Sequence, residues 1–252
     1  SGTTAHQVNP AATTISDLTT GDTNYRSIDV VAEGLGSRID LDALTSFEDR
    51  NGYDFGYGMY STLAARDGAD IHAPSLATLR GVNLEVDGPF SVGALTSITY
   101  SLVAISSGGT LTFTHLADAS DSQVIVQRTR AEFPVLTSLE RGSLKTKIGA
   151  SVHLPQLSGI DGASLTAGAG TTISIPSATT YSHGARGGNI HRYLVAEGVG
   201  AVLDLSHVAS IRGGDYYNNR IFIQAKNGGQ VRLDAVATIA DSTAGDTNYR
   251  SI

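Results

Sequence analysis

A short phrase that recurs along the chain limits the fold more than any other feature. It first reads Ser37 to Phe47, S-R-I-D-L-D-A-L-T-S-F. Ile39 and Leu41 face one way and Asp40 the other; a polar corner follows, then Leu44 and a Thr-Ser step into a large apolar residue. The phrase returns as Asp70 to Leu79, Ser151 to Ile160, Thr172 to Tyr181, Val202 to Ile211 and Val231 to Ile239. Successive side chains of a strand point to opposite faces, so each copy is committed to a half-buried strand and a corner. A second alternating run precedes the phrase each time, as in Ile28 to Glu33, Leu84-Glu85-Val86, Leu144-Lys145-Thr146 and Ile221 to Ala225.

The corner residues align as Leu44, Leu76, Leu95, Leu116, Leu136, Leu157, Ala178, Val208 and Val236, at steps of 32, 19, 21, 20, 21, 21, 30 and 28. A minimum of about 20 residues with excess length in particular turns marks a solenoid that carries insertions at one corner. No stretch keeps a 3.6-residue period long enough for a helix. Turns of this length, without a strict hexapeptide period, predict an all-β, single-stranded right-handed parallel β-helix (β-solenoid) of about nine coils, the handedness following that of parallel crossovers. Leucine-rich repeats are the structural rival, but the chain lacks their L-x-x-L-x-L consensus and their Asn or Cys ladder. The reading is one domain over 1–252: a partial first coil and loop over 1–27, nine coils over 28–239, and the start of a next unit over 240–252.

Leu203-Asp204-Leu205 to Ile211, and Ala225 to Leu233 (A-K-N-G-G-Q-V-R-L), carry a resemblance to the solenoid (parallel β-helix) repeats of large bacterial cell-surface and secreted proteins. It covers nearly the whole chain. It implies export, an extracellular or cell-surface location, and a structural or adhesive role.

Ile15 to Ile28, I-S-D-L-T-T-G-D-T-N-Y-R-S-I, recurs as Ile239 to Ile252, I-A-D-S-T-A-G-D-T-N-Y-R-S-I. The two match at 11 of 14 positions, 239 − 15 = 224 residues apart. The coils themselves vary far more than this, so coil spacing alone does not produce the identity. It points to a tandem repeat, with neighbouring copies of the same unit as head-to-tail partners. Convergent use of one good loop is the plainer alternative.

A net charge of −7, with no cluster of Lys or Arg, argues against nucleic acid or an anionic membrane as partner. With no cysteine there is neither a disulfide framework nor a thiolate metal site. No apolar run is long enough to span a membrane as a helix. Twenty-nine glycines and no Trp suit many short strands joined by tight corners.

Chemistry is harder to find. The long insertions, Asp17 to Ser27, Glu48 to Met59, Ser182 to Arg192, Arg212 to Asn219 and Ala240 to Ser251, all follow the Thr-Ser strand, so they should line one edge of the solenoid. They hold or border Tyr25, Tyr53, Tyr57, Tyr60, Tyr181, Tyr193, Tyr216, Tyr217 and Tyr249. Aromatic faces beside Asn, Asp and Arg are what glycan or protein recognition uses. Tyr25, Tyr53, Tyr57, Tyr193, Tyr216, Tyr217 and Tyr249 are therefore the candidate contacts for surface glycans or another surface protein. The alternative is that they only pack the loops onto the solenoid. Val31, Ala64, Val103, Ile125 and Val195 are expected to form an apolar outward ladder on the first strand, in need of a cover.

The outward row of the second strand is expected to be Asp40, His72, Ser91, Thr112, His153, Ser174, Asp204 and Arg232. Asp40 and Asp204 lie seven coils apart, and His72 and His153 four, so neither pair shares a bond to cleave or a metal to hold. Asp49 to Asp54 reads as a turn rather than a calcium loop, lacking the later acidic ligands. His183 and His191 flank Arg186 in one loop and read as two exposed loop histidines, with anion binding as the alternative. The sequence thus predicts no catalytic residue, no metal and no cofactor. It favours a non-catalytic rod segment, with a carbohydrate-binding or polysaccharide-degrading β-helix as the alternative.

Overall fold

In the computed structural model, the described residues are 12–18, 27–50, 60–88, 90, 91, 93–106, 110–241 and 252. They form an all-β structure in which every strand pairing is parallel, and none of them is helical. One sheet has nine strands: Asp29–Glu33, Ser61–Arg66, Val82–Val86, Leu102–Ile105, Gln123–Val126, Ser143–Thr146, Ser164–Ala167, His191–Glu197 and Arg220–Lys226. Neighbours in this long sheet are never consecutive in sequence, because the chain makes two further faces before it returns. This is the pairing that a β-helix-like fold requires.

The second face is a succession of three short sheets, beginning with Arg38–Asp40, Asp70–His72 and Phe90–Ser91. The third face opens with a four-stranded sheet, Thr14–Asp17, Ser46–Asp49, Thr78–Arg80 and Ser97–Thr99. It thins to single bridges at Asp118, Ser138 and Gly159, then reforms through Thr180–Ser182, Ser210–Arg212 and Thr238–Ala240.

The core is the stack of inward rows. On the long sheet Leu63, Leu84, Val103, Val124, Leu144, Leu165 and Leu194 lie in register and are buried. Just after the second-face strands, Leu41, Ala73, Phe113, Phe133, Leu154, Ile175 and Leu205 are buried, and the corner residues Leu44 to Val208 close that side. Side-chain volumes compensate between neighbours. Phe113 and Phe133 stack at 5.0 Å beside the small inward Ala131, and Tyr181 fills the space left by Ala163 and Ala178. Its hydroxyl donates to the Ala163 carbonyl at 2.8 Å, so the one polar atom it buries is satisfied.

Two rows differ from expectation. Val103 pairs with Leu84 and Val124 and points inward, 1% exposed; the outward residue of that strand is Ala104. The run Leu102-Val103-Ala104-Ile105 is apolar throughout, so alternation carries no phase there and only pairing decides. The outward row then reads Val31, Ala64, Glu85, Ala104, Ile125, Lys145, Thr166, Val195 and Gln224. Glu85, Lys145 and Gln224 interrupt it, so it is not a continuous apolar ladder. On the second face, Glu132 stands between Thr112 and His153 in a row from which it was missing.

Candidate functional site

The corner where the third face turns into the long sheet decides where loops arise. In the shorter turns, the residue two beyond the inward one is left-handed: Gly81, Tyr100, Asp121, Arg141 and Gly162 have φ of 64°, 52°, 56°, 58° and 69°. That conformation lets the chain reverse within two residues. In three longer turns the same position is held by Asp49, His183 and Gly213, and the chain leaves the solenoid instead.

The first two of these close the necks of their loops. Buried Asp49 accepts from the Ser61 backbone N–H at 2.8 Å and from the Ser61 hydroxyl, joining residues twelve apart. Buried His183 donates Nε2–H to the Ile190 carbonyl at 2.9 Å. Burial is the main cause that lowers its pKa, so the ring is held neutral. The next loop is fastened to this one: Ile190 N–H donates to Asn219 Oδ1, Asn189 N–H to the Tyr217 carbonyl, and Asn218 Nδ2 to Asn189 Oδ1.

A groove of about 280 Å³ follows this corner, lined by Tyr60, Ser101, Leu102, Asp121, Ser122, Gln123, Arg141, Gly142, Ser143, Ser164 and Arg192. Its walls are hydroxyls, an amide, the apolar Leu102, two guanidinium groups and the Asp121 carboxylate. Arg141 is neutralised. Its Nε and Nη2 donate to both oxygens of Asp121 at 2.9 and 2.8 Å, and its Nη1 donates to Glu140 at 2.9 Å. The hydrogen bonds it donates to Asp121 lead the causes that raise its pKa.

Arg192 is different. Burial is the largest influence on it and lowers its pKa. Among the described residues it forms no ion pair; its Nε has no acceptor, and its Nη1 reaches only the Arg141 carbonyl at 3.4 Å. A half-buried guanidinium without a carboxylate is uncommon, because desolvation of the charge is then uncompensated. The adjacent residue Tyr193 continues the outward row that runs Leu102, Gln123, Ser143, Ser164. Its ring stacks on Phe222 at 5.2 Å and 11°, and it is 42% exposed.

Of the candidate contacts, Tyr193, Tyr216 and Tyr217 are accessible; the last two are 47% and 51% exposed on the loop before Arg220–Lys226. Tyr25, Tyr53, Tyr57 and Tyr249 lie outside the described residues. Tyr181 is a core residue. His72 and His153 belong to different short sheets, as do Asp40 and Asp204. The groove draws on one tyrosine bordering a loop, Tyr60, and otherwise on residues that carry no motif. Arg192 sits in the polar start, His191-Arg192-Tyr193, of a strand, where an arginine is ordinary, and its lack of a carboxylate among the described residues is visible only once Asp121 is seen to be taken by Arg141.

No family model matches the chain, and neither a curated protein nor a solved structure matches it significantly.

Proposed function

We propose that the chain is one unit of an extracellular rod: a right-handed, single-stranded parallel β-helix of nine coils whose role is structural and adhesive, not catalytic. Handedness follows the strong bias of parallel crossovers. One observation carries the reading. Ile15 and Ile239, the first residues of the two near-identical segments, take the same inward position on the third face: Ile15 pairs with Phe47 at one end, and Ile239 pairs with Ile211 at the other. A repeat of 224 residues therefore advances the solenoid by whole coils, and a following copy would continue each row in phase.

Nine coils at strand spacing give a repeat of roughly 43 Å. The last described strand, Thr238–Ala240, is exposed along its length, and Ile239 is 50% exposed, so its inward row has room for a further coil. Extracellular placement comes from the resemblance to surface solenoids. Sedimentation and electron microscopy of concentrated protein test the rod directly. End-to-end particles with an axial repeat near 43 Å are expected; a monomer at every concentration, or side-by-side association only, would count against it.

A further inference from the structure

We propose that the corner groove ending at Arg192, together with the Tyr193 ring that follows Ser164 on the adjoining outward row, binds an acidic polysaccharide, with a sugar carboxylate on Arg192 and a sugar ring on Tyr193. The inference deepens the adhesive half of the rod reading. It is tested apart from it, because ligand binding reports on the groove and end-to-end stacking on the rod.

Three observations converge. Arg192 supplies a planar, half-buried cation with no anion of its own among the described residues, in a groove where the other guanidinium already holds Asp121 and Glu140. Carboxylates meet guanidinium groups in a bidentate geometry, and partial desolvation strengthens the pair. The rest of the lining suits a chain of hydroxyl groups. The Ser101 and Ser122 hydroxyls are buried and bonded to the backbone at the corner, whereas Gln123, Ser143 and Ser164 present an amide and two hydroxyls along the outward row. Their spacing is set by the strands, so the path from Leu102 to Tyr193 covers four pairings, roughly 19 Å. At its end, Tyr193 is backed by Phe222 in a parallel stack, which holds its ring for contact with the C–H face of a pyranose.

Groove and aromatic platform also share one strand. Arg192 and Tyr193 are consecutive in His191–Glu197, so they emerge on opposite sides of the backbone. The guanidinium lines the corner, and the ring lies on the outward row, where it stacks on Phe222 of the next strand and is 42% exposed. A linear ligand laid along the row would meet the ring and, at the corner, the charge. An acidic peptide would satisfy the guanidinium as well, but it carries no pyranose face for the Tyr193 ring, and polyglutamate is the arm that separates the two.

The test is titration calorimetry with oligogalacturonate, its fully methyl-esterified form, and polyglutamate. Oligogalacturonate should bind, more weakly as salt is raised, and the ester should not. Arg192→Gln should weaken binding about tenfold or more, and Tyr193→Ala should weaken it too, with melting of both variants near that of the parent. If Arg192→Gln fails to fold, Ser143→Glu, a half-buried outward position, places a carboxylate in the groove and should abolish binding by itself. The proposal is overturned if oligogalacturonate does not bind, if the ester binds equally, if the groove variants bind like the parent, or if polyglutamate binds as well as the oligosaccharide.

Discussion

Asp49 and His183 stand where a left-handed residue would otherwise turn the chain straight into the next strand, and each holds the neck of a loop. Asp49→Ala would leave the Ser61 N–H and hydroxyl without their buried acceptor, at a cost of about 2 kcal/mol or more. Asp49→Asn, which keeps one acceptor oxygen, should lose less, and comparing the two melting temperatures checks this. His183 brings a pH dependence. Its folded pKa lies below the ordinary value of 6.5, mainly through burial, with the Arg192 and His191 charges acting in the same direction and the Ile190 carbonyl opposing. On acidification the unfolded chain takes up the proton first. The contribution of His183 is therefore complete at neutral pH and is lost as pH falls below about 6.5. Glu85, held low chiefly by Arg66, acts in a separate and more acidic window. Melting should decline from about pH 7.5 to about pH 5.5, and His183→Asn should flatten that decline while lowering the melting temperature at neutral pH. An unchanged slope in the variant would assign the dependence elsewhere. In the core, Leu205 and Leu154 belong to one inward row, 0% and 3% exposed. Leu205→Ala should cost about 2–5 kcal/mol, and Leu205→Asp should not fold at all, since it would bury an unpaired charge; a soluble aspartate variant with native circular dichroism would refute this register.

Between strands, charge is arranged by reach more than by register. Glu33 and Arg66 are aligned on adjacent strands, yet Arg66 bonds Glu85 on the other side at 2.7 Å. Both side chains of that pair are substantially exposed, so Glu85→Gln should change stability by less than about 1 kcal/mol. Arg141 and Asp121 are 17% and 15% exposed and doubly bonded. Asp121→Asn keeps a residue that tolerates the left-handed backbone and removes only the charge; about 2 kcal/mol should be lost, roughly 4–8 °C in melting. The strands themselves were legible wherever polar residues punctuate apolar ones. Ile39-Asp40-Leu41 and Leu203-Asp204-Leu205 read with the correct faces, and the corner leucines all lie in the core. Leu102 to Ile105 does not, because four apolar residues carry no phase, and Glu132 does not stand out from the sequence because Ala131 is a weak marker of the inward row. The groove was not legible. Arg192 and Asp121 are far apart in sequence, and whether a charge is paired is a property of three dimensions. The buried roles of Asp49 and His183 were equally hidden, since both stand at loop edges where polar residues are ordinary.

At the scale of the molecule, the solenoid depends on its neighbours for stability, because each coil buries its faces only against the coils above and below. The final strands, Gln230–Arg232 and Thr238–Ala240, each pair on one side among the described residues, and Val231, Leu233 and Val236 are only partly buried. If the 224-residue repeat is a structural period, a second copy placed in phase should bury these rows and pair their free edges. A chain in which residues 15–238 occur twice in succession should then melt higher than one copy, and cooperatively, as a single longer array. A matched chain with half a coil inserted between the copies provides the control. It has the same composition and almost the same length, but the insertion sets inward rows of one copy against corners of the next. Only the in-phase chain should gain stability. Equal melting of the two chains, or of the in-phase chain and the single copy, would mean that the repeated segment is a loop used twice and that the rod ends with each unit.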